Sequence, residues 1–320
     1  METVEPSIVC IVGMHRSGTS MIARLLHERG LDLGPTERLL KADATNPLGH
    51  FEHRGFLDID RQLLKHFKAT WHEPPELQPG WHLDPGLKRL LSEAKALAAT
   101  FDGCSPWGWK EPRASLFLPF WKEAIANMRF VICIRNPLEV ARSLESRNNI
   151  PIRKGAALWY RYVRASLEDT EGSPRIFSFF EDFFHNGSGE IARLLRFCGL
   201  PVTSKDSDLD SAVASELRHH NSAIQTLLAE PCVTAECKHF YLGLRAIVLP
   251  HFSREDDGHR LEPDSATVSA LVKLFKDCEG SPAASTATVE SPEAQSHLGD
   301  QRSTNKLKKL FESLSVSKPK

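Results

Sequence analysis

No stretch of the 320 residues approaches the run of about 18 apolar residues that a membrane span needs, so no membrane span is expected. A charge bias is also missing. With 40 Lys and Arg against 41 Asp and Glu, the formal net charge is −1. Nothing global therefore draws the chain to nucleic acid or to a membrane surface, and an anion site must be local. The opening METVEPS has neither a basic n-region nor a long apolar h-region, which gives no sign of a secretory signal. There is no cysteine framework either. The 7 cysteines are odd in number and scattered. Cys10 and Cys133 lie inside apolar strand-like runs and read as small buried hydrophobes. These features lead us to expect a cytoplasmic protein in a reducing compartment. What remains is an ordinary globular composition, 41% apolar and 25% charged, long enough for one large domain.

Two narrower absences concern a nucleotide site. An apolar run, residues 8–12, leads into Gly13-Met14-His15-Arg16-Ser17-Gly18-Thr19-Ser20 and then a helical pattern with Met21, Ile22, Leu25 and Leu26 on one face. A buried strand turning sharply into a helix aims several N–H groups at one point, and the helix dipole adds positive charge there. The spacing Gly13-x-x-x-x-Gly18 is almost a P-loop, but Thr19 stands where its lysine belongs. The nearest cation is Arg16. The second absence is an acid at the end of the strand RFVICIR (129–135), which in a P-loop NTPase helps to hold Mg²⁺. Arg135 stands there, and Ser143 follows on a helix begun by Asn136-Pro137. A guanidinium and a hydroxyl so placed would grip a second phosphate from two sides without metal.

Elsewhere the periodicity predicts helices over 54–68, 87–100, 115–127, 136–148, 152–169 and 189–198, and strands over 107–113 and 175–180. The 70–86 stretch, rich in Pro and Gly with two Trp-His pairs, reads as a long loop of the kind that often covers a site. Strands alternating with helices, with near-continuous apolar strands, indicate an α/β fold with a parallel sheet covered on both faces. Residues 211–278 have a helical pattern. Residues 279–320 read as a low-complexity, disordered, basic tail, leaving 1–278 as the domain. In an open α/β sheet, ligands sit at the carboxyl ends of the strands. The 13–20 loop, Lys110 to Arg113, Arg135 and Glu181-Asp182 are all expected there.

The two phosphate motifs together, GMHRSGTSMIARLL and FVICIRNPLEVARSL, resemble those of the sulfotransferase family, in its bacterial and Golgi-like branch. Trp109-Lys110-Glu111-Pro112-Arg113 is similar to a further family strand, and the likeness spans about residues 6–230. The resemblance implies a P-loop NTPase-like sulfotransferase fold. It also implies transfer of a sulfuryl group from 3′-phosphoadenosine 5′-phosphosulfate (PAPS) to a hydroxyl or amine acceptor, with a saccharide as first expectation and no metal required. Arg16, Ser17, Gly18, Thr19 and Ser20 would hold the 5′-phosphosulfate, and Arg135 with Ser143 the 3′-phosphate. Lys110 would reach the sulfuryl oxygens. The resemblance points to Glu52 as the base, with His50 and His53 as rivals. Cytosolic members carry a lysine where this chain has Arg16, and their late Gly-rich segment is not evident here.

Bland readings stand beside these. Lys110 and Arg113 could be structural ion pairs with Glu111 or Asp182. Trp71, His72, Trp81 and His82 could simply pack the 70–86 loop. Cys232, Cys237 and His239 fit no common zinc spacing. Two other functions share the first loop: a P-loop kinase of a small molecule or sugar, and a nucleotide-binding module without activity.

Overall fold

Four apolar stretches form one parallel sheet in the computed structural model, which describes residues 8–43, 46–203 and 224–248. The strands are β1 (Ile8–Gly13), β2 (Trp107–Lys110), β3 (Met128–Ile134) and β4 (Arg175–Phe179), in spatial order β2-β1-β3-β4. Ile8 of β1 lies opposite both Trp107 and Met128, and Phe130 of β3 lies opposite Arg175. Parallel neighbours require crossovers, and helices supply them. They are α1 (Thr19–His27), α2 (Arg54–His66), α3 (Lys88–Ala99), α4 (Leu118–Ala124), α5 (Pro137–Asn148) and α6 (Ile152–Asp169), and α7 (Phe183–Cys198) follows the last strand. Two more, α8 (Ile224–Ala229) and α9 (Ala235–Val248), belong to the helical C-terminal part. Among the described residues no helix is long and apolar enough to cross a membrane. The expected tail at 279–320 lies outside the described residues.

The strand runs are apolar throughout because both faces are covered. Cys10, Val12, Phe130, Ile132 and Ile134 enter one core with side chains of α2 to α6, α8 and α9. Val9, Ile11, Val131 and Cys133 enter the other with α1 and α7. Period-two alternation is present, but neither side needs a polar residue.

Four expected elements differ in detail. The strand expected over 107–113 stops at Lys110, because Pro112 opens a 3₁₀ turn. The helix expected over 115–127 is a 3₁₀ turn, Pro112–Leu116, followed by the short α4. Phe117, at φ −128° and ψ 21°, separates them, and Ser115 is held by the backbone N–H of Gly13 donating to its Oγ at 2.9 Å. The helix expected at 189 begins at Phe183 and is broken at Asn186. There the Asn186 side chain accepts from the Gly189 N–H, so the second half carries the cap that a start near 189 requires. The strand expected to reach 180 stops at Phe179 and turns through Phe180–Asp182.

Gly13 ends β1 at φ +137°, and a Cβ there would overlap the carbonyl oxygen of Cys133 on β3. Backbone conformation and space both demand glycine. Gly13→Ala is expected to cost at least about 2 kcal/mol, read as a lowered midpoint in urea unfolding. An unchanged midpoint would show that β1 and β3 can separate freely at this point.

Candidate active site

The loop after β1 turns on two left-handed residues, Arg16 (φ 71°) and Gly18 (φ 85°). Gly18 is the N-cap of α1, and no side chain caps that helix or places an acid in its first turn. The unused N–H groups and the positive end of the dipole are therefore available to an anion. Gly18 is needed for space as well, because a Cβ would come within 2.6 Å of the Phe180 ring. Ser17 Oγ is buried without a hydrogen-bond partner. Such a hydroxyl at the mouth of an uncapped helix suits a phosphate-type ligand.

The second cradle adjoins the first. Arg16 Nε donates to Ser143 Oγ at 2.8 Å, across 127 residues of sequence. Arg135 Nη1 donates to the Arg16 carbonyl at 3.2 Å. Its guanidinium lies 4.3 Å from the centre of the Phe180 ring and 3.5 Å from Glu139. The loop, the end of β3 and the second turn of α5 are thus joined by hydrogen bonds into one surface that carries two guanidiniums. At the N-terminus of α5 the Asn136 side chain accepts from the Leu138 N–H and so uses one first-turn donor. Burial lowers the pKa of Arg16, helped by Arg147 and Arg135 nearby. Three guanidiniums this close repel one another until an anion arrives.

Lys110 leaves the end of β2 almost fully buried. Its Nζ donates to Glu52 Oε1 at 2.6 Å and to Ser20 Oγ at 3.2 Å. Glu52 precedes α2, and its carbonyl accepts from the Leu40 N–H. Burial alone would raise the Glu52 carboxyl, but the Lys110 ammonium outweighs it and holds the group below the usual carboxylate range. The carboxylate is therefore ionised at neutral pH. His50 Nε2 is 2.9 Å from Asp43 Oδ2 at the rim. His53 does not reach the site. It is the N-cap of α2, its Nδ1 accepts from the Gly55 N–H, and its ring packs on Phe56 and Phe101.

Arg16, Thr19, Ser20, His50, Glu52 and Lys110 line a cavity of about 490 Å³ that also takes in His15, Trp71, Arg113 and Arg147, whereas Ser17, Gly18, Arg135 and Ser143 do not line it. His15 belongs to the 13–20 loop and Arg113 to the strand ends expected at the site, and Trp71 stood between packing and sugar stacking; Arg147 was not singled out from sequence. Arg147 stands one turn after Ser143 on α5, and that i+4 spacing was the available signal. His15 packs against Trp71, ring centres 4.7 Å apart, and its Nε2 is buried without a partner. Burial, then Arg113, Lys110, Arg147 and Arg16, keep its pKa well below the ordinary histidine value, so the ring is neutral. Trp71 is held by its own carbonyl, which accepts from Tyr162 Oη at 2.8 Å. Lys154 and Arg161 of α6 strap the same loop through Glu73 and Glu76. Trp81, by contrast, packs edge-on against Phe67 and Phe117, away from the cavity.

Other charged groups at the strand ends serve the framework. Glu111 Oε1 accepts from both the backbone N–H and Nη1 of Arg113. Glu181 accepts from the Asn136 N–H at 2.5 Å, and Asp182 pairs with Arg245 of α9. These two acids fasten α5 and α9 and do not line the cavity. Cys237 is buried, its Sγ against the Ala156 carbonyl.

A family model described as the sulfotransferase family matches residues 6–204. No curated protein sequence matches significantly. Among solved structures, sulfotransferase STF9 from Mycobacterium avium is similar at 14% identity, covering 68% of this chain and 69% of that one with a TM-score of 0.34. The sulfotransferase domain of the olefin synthase from Synechococcus PCC 7002 is similar at 13% identity, covering 98% and 96% with a TM-score of 0.39. Sulfotransferase STF1 from Mycobacterium tuberculosis H37Rv is similar at 14% identity, covering 70% and 74% with a TM-score of 0.36.

Proposed function

The chain belongs to the sulfotransferase family, and from that premise we propose that it transfers a sulfuryl group from PAPS to a hydroxyl or amine acceptor, a saccharide in the first instance. The observation that carries the donor assignment is the bond from Arg16 to Ser143, which merges an uncapped helix N-terminus and the Arg135 region into one anion surface. The orphaned Ser17 hydroxyl beside it fits a ligand rich in phosphate oxygens. Ser17, Gly18, Thr19 and Ser20 with Arg16 would hold the 5′ end, and Arg135 with Ser143 the 3′-phosphate.

The donor supplies a sulfuryl group on a phosphate leaving group. In the transfer, the acceptor oxygen forms a bond to sulfur, the bond from sulfur to the bridging oxygen breaks, and the electron pair stays with the phosphate. Arg16 and the first-turn N–H groups of α1 stabilise the charge that grows there; preorganised donors of this kind are the largest catalytic contribution in many enzymes. Lys110 does double duty. It steadies the sulfuryl oxygens from one side and keeps Glu52 ionised on the other. Glu52 takes the acceptor's proton. The lowered pKa makes Glu52 a modest base, so the proton moves late, once the new bond has made the acceptor oxygen acidic.

Calorimetry with 3′,5′-adenosine bisphosphate tests the donor assignment. Arg135→Ala is expected to weaken the bisphosphate by about 10- to 100-fold, the worth of a hydrogen bond to a charged group. Adenosine 5′-monophosphate should change far less. No heat with the bisphosphate, or equal losses for both nucleotides, would remove the reading. Magnesium-dependent ATP turnover would favour a kinase in its place.

A further inference from the structure

The chain as a whole is almost neutral, yet the cavity is not. Arg16, Lys110 and Arg113 form its floor, and Lys41, Arg54, Arg61 and Arg147 its rim. Among the described residues, the carboxylates lining it are Asp43 and Glu52. Glu52 is already matched by Lys110, Asp43 contacts His50, and Arg113 is matched from behind by Glu111. The donor reading uses Arg16 and the Arg135 side. At the rim, Arg54, Arg147 and Lys41 have no carboxylate partner among the described residues. Arg61 has Asp58 at 3.5 Å, with both side chains about 60% exposed, a pair of little strength.

Arg54 is the most telling of them. It is the first residue of α2, whose first turn contains no acid. A cation at that end opposes the helix dipole, and among the described residues no carboxylate pairs with it to offset this. Arg61 follows seven residues later, two turns on along the same helix and about 10 Å away. The rim also carries Asn46, Asn148 and the half-buried Trp71. Amides suit sugar hydroxyls, and an indole face suits the C–H face of a sugar ring.

We propose, resting on the sulfuryl-transfer reading, that the acceptor is an anionic saccharide. A carboxylate or sulfate ester next to the acceptor hydroxyl is held by Arg54, Arg61 and Arg147, while Trp71 stacks on the ring. The rim cations then do for the acceptor what the floor cations do for the donor. They offset the repulsion between two anions that must meet.

The test uses the full chain saturated with 3′,5′-adenosine bisphosphate. It is titrated calorimetrically with uronate disaccharides (glucuronate, galacturonate and mannuronate types), each beside its neutral hexose counterpart. A sulfated disaccharide and an acidic tetrapeptide complete the panel. At least one uronate or sulfated probe should bind tenfold or more tighter than its neutral counterpart. That advantage should fall below threefold in Arg54→Ala/Arg61→Ala, with bisphosphate affinity and melting temperature unchanged. Arg147→Ala should erode the same advantage. A uronate preference without a sulfate one, or the reverse, identifies which anion is recognised. The inference is overturned if no charged saccharide is preferred, if none binds, if the double variant keeps the preference, or if the peptide binds best. Failure of the wild type to bind the bisphosphate strikes the sulfuryl-transfer reading itself, which separates the two.

Discussion

Glu52→Gln is expected to lower turnover by roughly 10²- to 10⁴-fold, the contribution of a positioned base. Glutamine keeps the shape of the side chain and can still accept a hydrogen bond from Lys110, but it cannot take the acceptor's proton. Because the loss belongs to the transition state alone, bisphosphate affinity should stay within about threefold of wild type. The pH profile separates Glu52 from its rival. Lys110 holds the Glu52 carboxyl below the usual range, so the acid limb of turnover should lie below the ordinary carboxylate pKa of about 4.3. A limb near neutrality, where an ordinary imidazole changes charge, would exclude Glu52 as the group that sets it. Full activity in Glu52→Gln together with its loss in His50→Ala would transfer the role to the histidine.

The second large effect is on stability. Lys110→Met should cost about 3–5 kcal/mol, because it strands the Glu52 carboxylate in a buried site. For a domain of this size that is on the order of 10 °C in melting temperature. In the wild type, the stability from the depressed Glu52 pKa is present above the unfolded value and is lost as pH falls through the folded one. The variant reverses the sign. Without Lys110, burial raises the Glu52 pKa, so the deficit should be greatest near neutral pH and narrow on acidification. Adding Glu52→Gln should recover most of the loss, since it removes the stranded charge. A melting temperature within about 2 °C of wild type for Lys110→Met alone would mean that the pair is effectively solvated.

How legible was this in the chain? The strands at 8–13 and 128–134 and the helices from 54, 137 and 152 follow from contiguous patterns: an apolar run, an amphipathic period, an Asn-Pro start. The near-miss on α4 arose where Ser115 is bound to Gly13, 102 residues away, a contact that no local period encodes. The break at Asn186 was half visible, because the cap on Gly189 is local while the extra turn from Phe183 is not. Glu181 and Asp182 looked like site acids because they end a strand. They became fasteners because Asn136 and Arg245 happen to arrive beside them. His53 looked as eligible as His50 in sequence. The start of α2 assigns one to capping and the other to the rim.

The chain by itself determined where the backbone must turn. Gly13 and Gly18 fix the loop, apolar continuity fixes buried strands, and Arg16 and Arg135 in place of a lysine and an acid fix the sign of the charge. Only the tertiary structure decided which side chains share that space. Arg16 meets Ser143, Lys110 bridges Glu52 and Ser20, and Arg54 joins Arg147 around one cavity. Backbone conformation depends on neighbours in sequence. A charge pair depends on distance and desolvation, which exist only once the helices have packed on both faces of the sheet.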